Sequence, residues 1–247
     1  YRLAEDKRVM LPVMVCMDGF ILTHGMETID MPEQEKVNKF LPPFKPLYKL
    51  DTAYPISMGL LADPDYYMET RFAIQETMKE SIVYLSEISK EFNTVFGRDY
   101  KDLLVEEYQI KDAEKVIVAM GSVCGTINEV GDEQRAKGKK VGLLRIISYR
   151  PFPYARIYEA LKDVSKVAVL DKAVSLGAYA PIAVEMKAAF YGKKKGPKVI
   201  SSFVAGLGGR DITLESVHEV FRRLNTKEVN FDFIDLKPEL LKEEYGE

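Results

Sequence analysis

Val116-Ile117-Val118-Ala119-Met120-Gly121-Ser122-Val123-Cys124-Gly125-Thr126 is the stretch whose reading decides the fold. Its first five residues are apolar and rich in β-branched side chains, with no polar alternation. That is the pattern of a short strand covered on both faces. The small residues that follow suit a sharp turn into a helix, expected from about Gly125 to Lys137 and stopped at Gly138. The same rhythm recurs downstream. Strands are predicted at Val141–Arg145, Val167–Leu170 and Val199–Phe203. Helices are predicted over Pro153–Leu161, Ala180–Phe190 and Thr213–Leu224, the last with Thr213 as its N-cap. Four strand–helix units in about 110 residues call for an open, mostly parallel sheet with helices on both faces.

Ligands of such sheets collect at the carboxyl ends of the strands. Gly121, Ser122, Gly125 and Thr126 follow the first strand and could expose backbone N–H groups to an anion. They could equally form a tight turn, because the spacing is GxxxG and departs from the dinucleotide pattern GxGxxG. Cys124, at a helix start with no acid–base partner nearby, reads as an inert packed thiol. Arg150, in Ser148-Tyr149-Arg150-Pro151-Phe152-Pro153, could bind an anion or face an interface. Asp171 could cap the next helix or orient a loop. In Gly206-Leu207-Gly208-Gly209-Arg210-Asp211, the residues Gly208, Gly209, Arg210 and Asp211 could grip a phosphate or close on themselves through an Arg–Asp pair.

Upstream the character changes. Seven of twelve prolines fall in the first 64 residues. Regular helix is not expected from Pro32 to Pro64, which reads as a long extended connection. Met10–Met17, apolar on both faces, suggests a buried parallel strand ending at Asp18-Gly19-Phe20. His24 beyond it could shuttle protons or be merely hydrogen-bonded, and His218 is expected exposed on its helix. Apolar residues at Ile74, Met78, Ile82, Leu85, Ile88, Phe92 and Val95 predict one helix over roughly Tyr67–Phe96, ~40 Å long, with Gly97 as its stop.

Composition narrows the function classes. The 247 residues carry 35 basic and 38 acidic side chains, so the basic field of a nucleic-acid binder is missing. Two cysteines 108 positions apart cannot supply a four-thiolate cluster or a disulfide framework, and with only two histidines no metal site is expected. No apolar run is long enough for a membrane span, so a cytoplasmic, reducing location is expected.

Four segments in register carry a family resemblance. They are Val13 through His24, Gly121-Ser122 through Gly131-Asp132, Ser148 through Pro153, and Gly206 through Thr213. Together they resemble the α subunit of the pyruvate:ferredoxin oxidoreductase family, over nearly the whole chain. The resemblance implies a thiamine diphosphate enzyme that decarboxylates pyruvate, sends two electrons through iron–sulfur clusters to ferredoxin and loads acetyl onto coenzyme A. It implies the end of a pyrimidine-binding α/β domain with its extended connection over 1–64, a linker helix region over 65–112, and a transketolase C-terminal-like domain over 113–247. Thiamine diphosphate with magnesium would be shared with a β subunit, and the clusters would lie on partner chains, with γ and δ subunits completing the assembly. Family α subunits carry about a further domain before the position of Tyr1. The activating glutamate and the threonine and arginine expected to face pyruvate belong there, so no catalytic residue is carried onto this chain. Asp18, Gly19, Thr23 and His24 become cofactor-cleft candidates, while the glycine loops become interface elements. Two alternatives stand beside this reading. One is a relative acting on 2-oxoisovalerate or 2-oxoglutarate. The other is a stand-alone nucleotide or coenzyme A module using Gly121–Thr126.

Overall fold

A computed structural model describes residues 1–59, 61–100, 103–226 and 229–245. The chain divides into two units. One comprises Tyr1–Cys16, Met26–Leu104 and Ser148–Pro151, and the other Met17–Gly25, Val105–Ile147 and Phe152–Glu247.

The first unit is helical. Helix α1 (Gln34–Phe40) and helix α2 (Pro64–Phe96) meet through Phe40, whose ring stands edge-on to Phe92 and Phe96 at 5.4 and 5.5 Å. Asp63 caps α2 by accepting the Asp65 amide, and Gly97 ends it in left-handed backbone. With 33 residues α2 runs for about 50 Å. The proline-based expectation for 32–64 fails at α1. Pro32 and Pro42 bound a proline-free window long enough for two turns, and Phe40 rewards the helix with a packing partner. The expected strand over Met10–Met17 is also absent. That segment is unpaired, with Met14 87 % and Val15 83 % exposed. A buried parallel strand needs neighbours, and this unit offers no strand among its described residues.

The second unit is the predicted sheet. Strands β1 (Val105–Tyr108), β2 (Lys115–Ala119), β3 (Val141–Ile146), β4 (Lys166–Asp171), β5 (Val199–Val204) and β6 (Asp232–Phe233) lie in the order β1-β3-β2-β4-β5-β6. All neighbours are parallel except β1, which runs antiparallel to β3. Between them run α3 (Val123–Ala136), α4 (Tyr154–Leu161), α5 (Pro181–Phe190) and α6 (Leu214–Thr226), with α7 (Pro238–Tyr245) following β6. On one face Ile117, Leu143, Ala168, Leu170 and Phe203 meet Ile127 and Val130 of α3 and Val217, Val220 and Leu224 of α6. The alternate residues Val116, Val118, Leu144, Val167 and Val169 are also fully buried, which is why the strands show no polar alternation. Thr213 and Ser216 cap α6 reciprocally: Thr213 Oγ1 accepts the Ser216 amide and Ser216 Oγ the Thr213 amide.

The strand order sets a switch point. The chain leaves β2 toward β3 on one side and resumes at β4 on the other. The crevice outside the carboxyl ends of β2 and β4 is where open sheets of this kind place ligands.

Candidate functional site at the sheet switch point

That crevice is filled from within the chain. The segment Met17–Gly25 belongs to the sheet unit, and its Asp18 sits at the crevice. Asp18 Oδ2 accepts the Ser122 amide at 2.6 Å, and Lys172 Nζ, just past β4, donates to Oδ1 at 2.9 Å. Both side chains are mostly buried, at 17 % exposure for Asp18 and 29 % for Lys172. Burial pushes the Asp18 carboxyl up, but the Ser122 amide and the Lys172 ammonium outweigh it and hold the group below the usual carboxylate range. Gly121 makes the approach possible. Its φ of +79° favours glycine, and a Cβ there would stand 2.7 Å from Asp18 Oδ2.

The rest of the segment folds on itself. Thr23 Oγ1 accepts the Phe20 amide and lies 3.0 Å from His24 Nδ1, while the His24 ring stacks on Phe20 at 4.8 Å. Gly19, Thr23 and His24 are exposed. Ile21 and Leu22 line a cavity of about 380 Å³ together with Ser122, Cys124, Asn128 and Arg145. Burial pushes the Cys124 thiol up to about 12, which makes it the inert packed thiol expected from the sequence.

The structure therefore brings Asp18, Gly121 and Ser122 together. Gly125 lines the cavity, and Thr126 is half-buried in the first turn of α3. Arg150 belongs to the other unit, where its guanidinium stacks over Tyr149 at 4.3 Å. Gly208, Gly209, Arg210 and Asp211 are exposed beyond β5. The internal Arg–Asp pair that was one expectation for that loop is not formed. Arg210 donates to the Asp235 carbonyl rather than pairing with Asp211. Asp171 caps α5, accepting the Ile182 and Ala183 amides at 3.2 and 3.3 Å, and its burial pushes its carboxyl up to about 6. His218, expected exposed, is half-buried between helices: Nε2 faces Glu133 at 3.1 Å and Nδ1 faces Gln134 at 3.0 Å. It faces α3 because it lies one turn before the buried Phe221, at the margin of the apolar side of α6. The residue that sequence reasoning missed is Lys172. Its signal was a cation at a strand's carboxyl end, next to Asp171.

No helix among the described residues is long and apolar enough to cross a membrane. Two family models match the chain. Residues 1–90 match the thiamine diP-binding domain of pyruvate flavodoxin/ferredoxin oxidoreductase, and residues 113–217 match pyruvate:ferredoxin oxidoreductase core domain II. Pyruvate synthase subunit PorA of Methanothermobacter thermautotrophicus is 46 % identical over 97 % of this chain and 61 % of its own length. The PorA of Thermotoga maritima is 46 % identical over 89 % of this chain and 56 % of its own. The ketoisovalerate oxidoreductase subunit VorA of Pyrococcus horikoshii is 39 % identical over 89 % and 55 %. The chain thus spans between one half and two thirds of the length of these curated relatives. Both segments that match family models, and relatives aligned along nearly its whole length, place the chain in the pyruvate:ferredoxin oxidoreductase family, on the side of its α subunits.

Proposed function

We propose that this chain is part of the α subunit of a thiamine-diphosphate-dependent oxidoreductase. That enzyme converts pyruvate, coenzyme A and two oxidised ferredoxins to acetyl-coenzyme A, carbon dioxide, a proton and two reduced ferredoxins, reversibly. Within it, residues 1–64 are the end of a pyrimidine-binding domain with its connection, 65–112 a linker helix region, and 113–247 a transketolase C-terminal-like domain. This segment organises subunits more than it touches substrate. Arg150 and the loop Gly208–Asp211 are exposed and serve as interface elements. Gly19, Thr23 and His24 stand where a neighbouring subunit's cofactor cleft would meet this chain.

The observation that carries the organising role is the crevice itself. Ser122 N–H and Lys172 Nζ, the groups that would take a phosphate, are already taken by Asp18. Among the described residues no three His, Cys, Asp or Glu converge to hold a metal ion. These residues do not by themselves fit a diphosphate with its magnesium. We assign that group to the shared site with a β subunit, and the iron–sulfur clusters to partner chains, γ and δ subunits completing the complex.

The test is pyruvate- and coenzyme-A-dependent reduction of a viologen dye by the co-purified complex. The complex should turn over and the isolated chain should not. Turnover by the isolated chain, or tight calorimetric binding of coenzyme A to it, overturns the reading. The VorA relative supports a branched 2-oxoacid as the second substrate reading, and its lower identity ranks it behind pyruvate. Assaying pyruvate, 2-oxoisovalerate and 2-oxoglutarate side by side decides between them.

A further inference from the structure

We propose that residues 17–25 form a strap latched by Asp18 over the cavity beside α3, and that the strap opens locally while the sheet stays folded. The forces on the strap are uneven. Its hold on the sheet is concentrated at one end, in the two charge-assisted bonds of Asp18 to Ser122 and Lys172. Beyond Asp18 its hydrogen bonds are internal, from the Phe20 amide to Thr23 Oγ1 and from the Ile21 amide to the Gly19 carbonyl. Ile21 and Leu22 line the cavity yet remain 55 % and 50 % exposed, so their apolar seal is partial.

Two features work against closure. Phe20 is held at φ +64°, a left-handed conformation that a bulky side chain resists. Asn128, in the cavity wall, has its Oδ1 buried with no hydrogen-bond partner in the protein, and opening would hydrate it. Gly19 and Gly25 stand near the two ends. A Cβ at Gly19 would meet nothing within 4 Å, and one at Gly25 only the Ile21 carbonyl at 3.5 Å, so both can absorb backbone rotation. A latch opposed by strain and an orphaned acceptor is a two-state element. What it gates is a volume of about 380 Å³, large enough for a small molecule.

Cys124 is the reporter. It is 3 % exposed and lines the cavity under the strap, whereas Cys16 is exposed and lies in the other unit. The experiment measures alkylation of each cysteine in the full chain by peptide mass spectrometry. Asp18→Asn keeps the shape and removes the charge, and Lys172→Met removes the other half of the latch. Each should speed Cys124 labelling about tenfold and leave Cys16 unchanged. The accelerated rate should not respond to urea below the unfolding transition, because a local opening exposes little surface. Unchanged Cys124 labelling in both variants overturns the proposal. So does acceleration whose urea dependence equals that of global unfolding, which would mean that the variants simply destabilise the sheet.

Discussion

Replacing Gly121 by Ala tests whether the crevice is closed from within. Two costs are expected. The first is backbone strain, since φ is +79° and a Cβ disfavours that region by about 1–2 kcal/mol. The second is collision. The new methyl would stand 2.7 Å from Asp18 Oδ2 and 3.4 Å from the carboxyl carbon, so the carboxylate must leave Ser122 N–H and Lys172. Bonds to a charged group are worth about 1.5–3 kcal/mol, and the lower part of that range applies to a pair still partly open to water. The sum is about 3 kcal/mol. Gly138 supplies the internal standard. Its φ is +77° and a Cβ there would meet nothing within 4 Å, so Gly138→Ala should cost the strain alone. Urea unfolding of the full chain measures both, and a third variant isolates the contact. In an Asp18→Ala background, Gly121→Ala should fall to the cost of Gly138→Ala. Equal costs for the two glycine variants in the native background, or no coupling between positions 18 and 121, would refute the reasoning.

Three further outcomes follow from other parts of the fold. Asp171 is buried with its carboxyl raised to about 6, above the ordinary 3.8. The stability it lends is therefore complete below about pH 4 and lost as pH rises through 6, by about 2–3 kcal/mol. Asp171→Asn should flatten that slope in urea titrations run from pH 4 to 7.5, and an unchanged slope refutes the assignment. Ser216→Ala removes half of the α6 cap and the Ser216 Oγ–Asp235 Oδ2 bond of 2.6 Å, so unfolding should be easier by about 1–2 kcal/mol. Phe40→Ala should release α1 from α2 at a cost of about 3 kcal/mol to the helical unit. Proteolysis between Pro32 and Pro42 should rise while the sheet unit stays resistant.

The parallel sheet was legible because each of β2 to β5 is an apolar-rich run between turn residues, interrupted only at single positions such as Arg145 or by small residues such as Gly142, Ser201 and Ser202, and its boundaries differ from expectation by a residue or two. The edges were not legible. Val105-Glu106-Glu107-Tyr108 pairs on one side only, so its charges face solvent, where Glu106 meets Arg145 at 3.2 Å. Charges are what an edge strand needs and what a hydrophobic scan discards. With two residues, β6 carries no pattern at all. In the first unit the proline density hid α1, since a proline bars helix only around itself. Met10–Met17 reads as a buried strand because apolarity alone says nothing of whether a neighbour is there to pair with it.

The site shows a different limit. The turn Gly121-Ser122 has the makings of an anion cradle, and the structure puts an anion in it. The sequence could not say which one, because the carboxylate comes from 104 positions upstream and its counter-cation from the end of another strand, 154 positions beyond that carboxylate. Local spacing reports the shape of a backbone turn, while occupancy is decided by whichever charged group the topology delivers there. That distinction bears on function directly. A switch-point crevice with free N–H groups and a free lysine would have favoured a nucleotide or coenzyme A module. The same crevice holding Asp18 spends those groups on internal cohesion, and to bind a phosphate there the chain would first have to break two charge-assisted bonds. A phosphate entering this crevice must therefore out-compete a carboxylate tethered at high effective concentration. For that reason the closed crevice favours a sheet that organises its neighbours over one that binds a nucleotide.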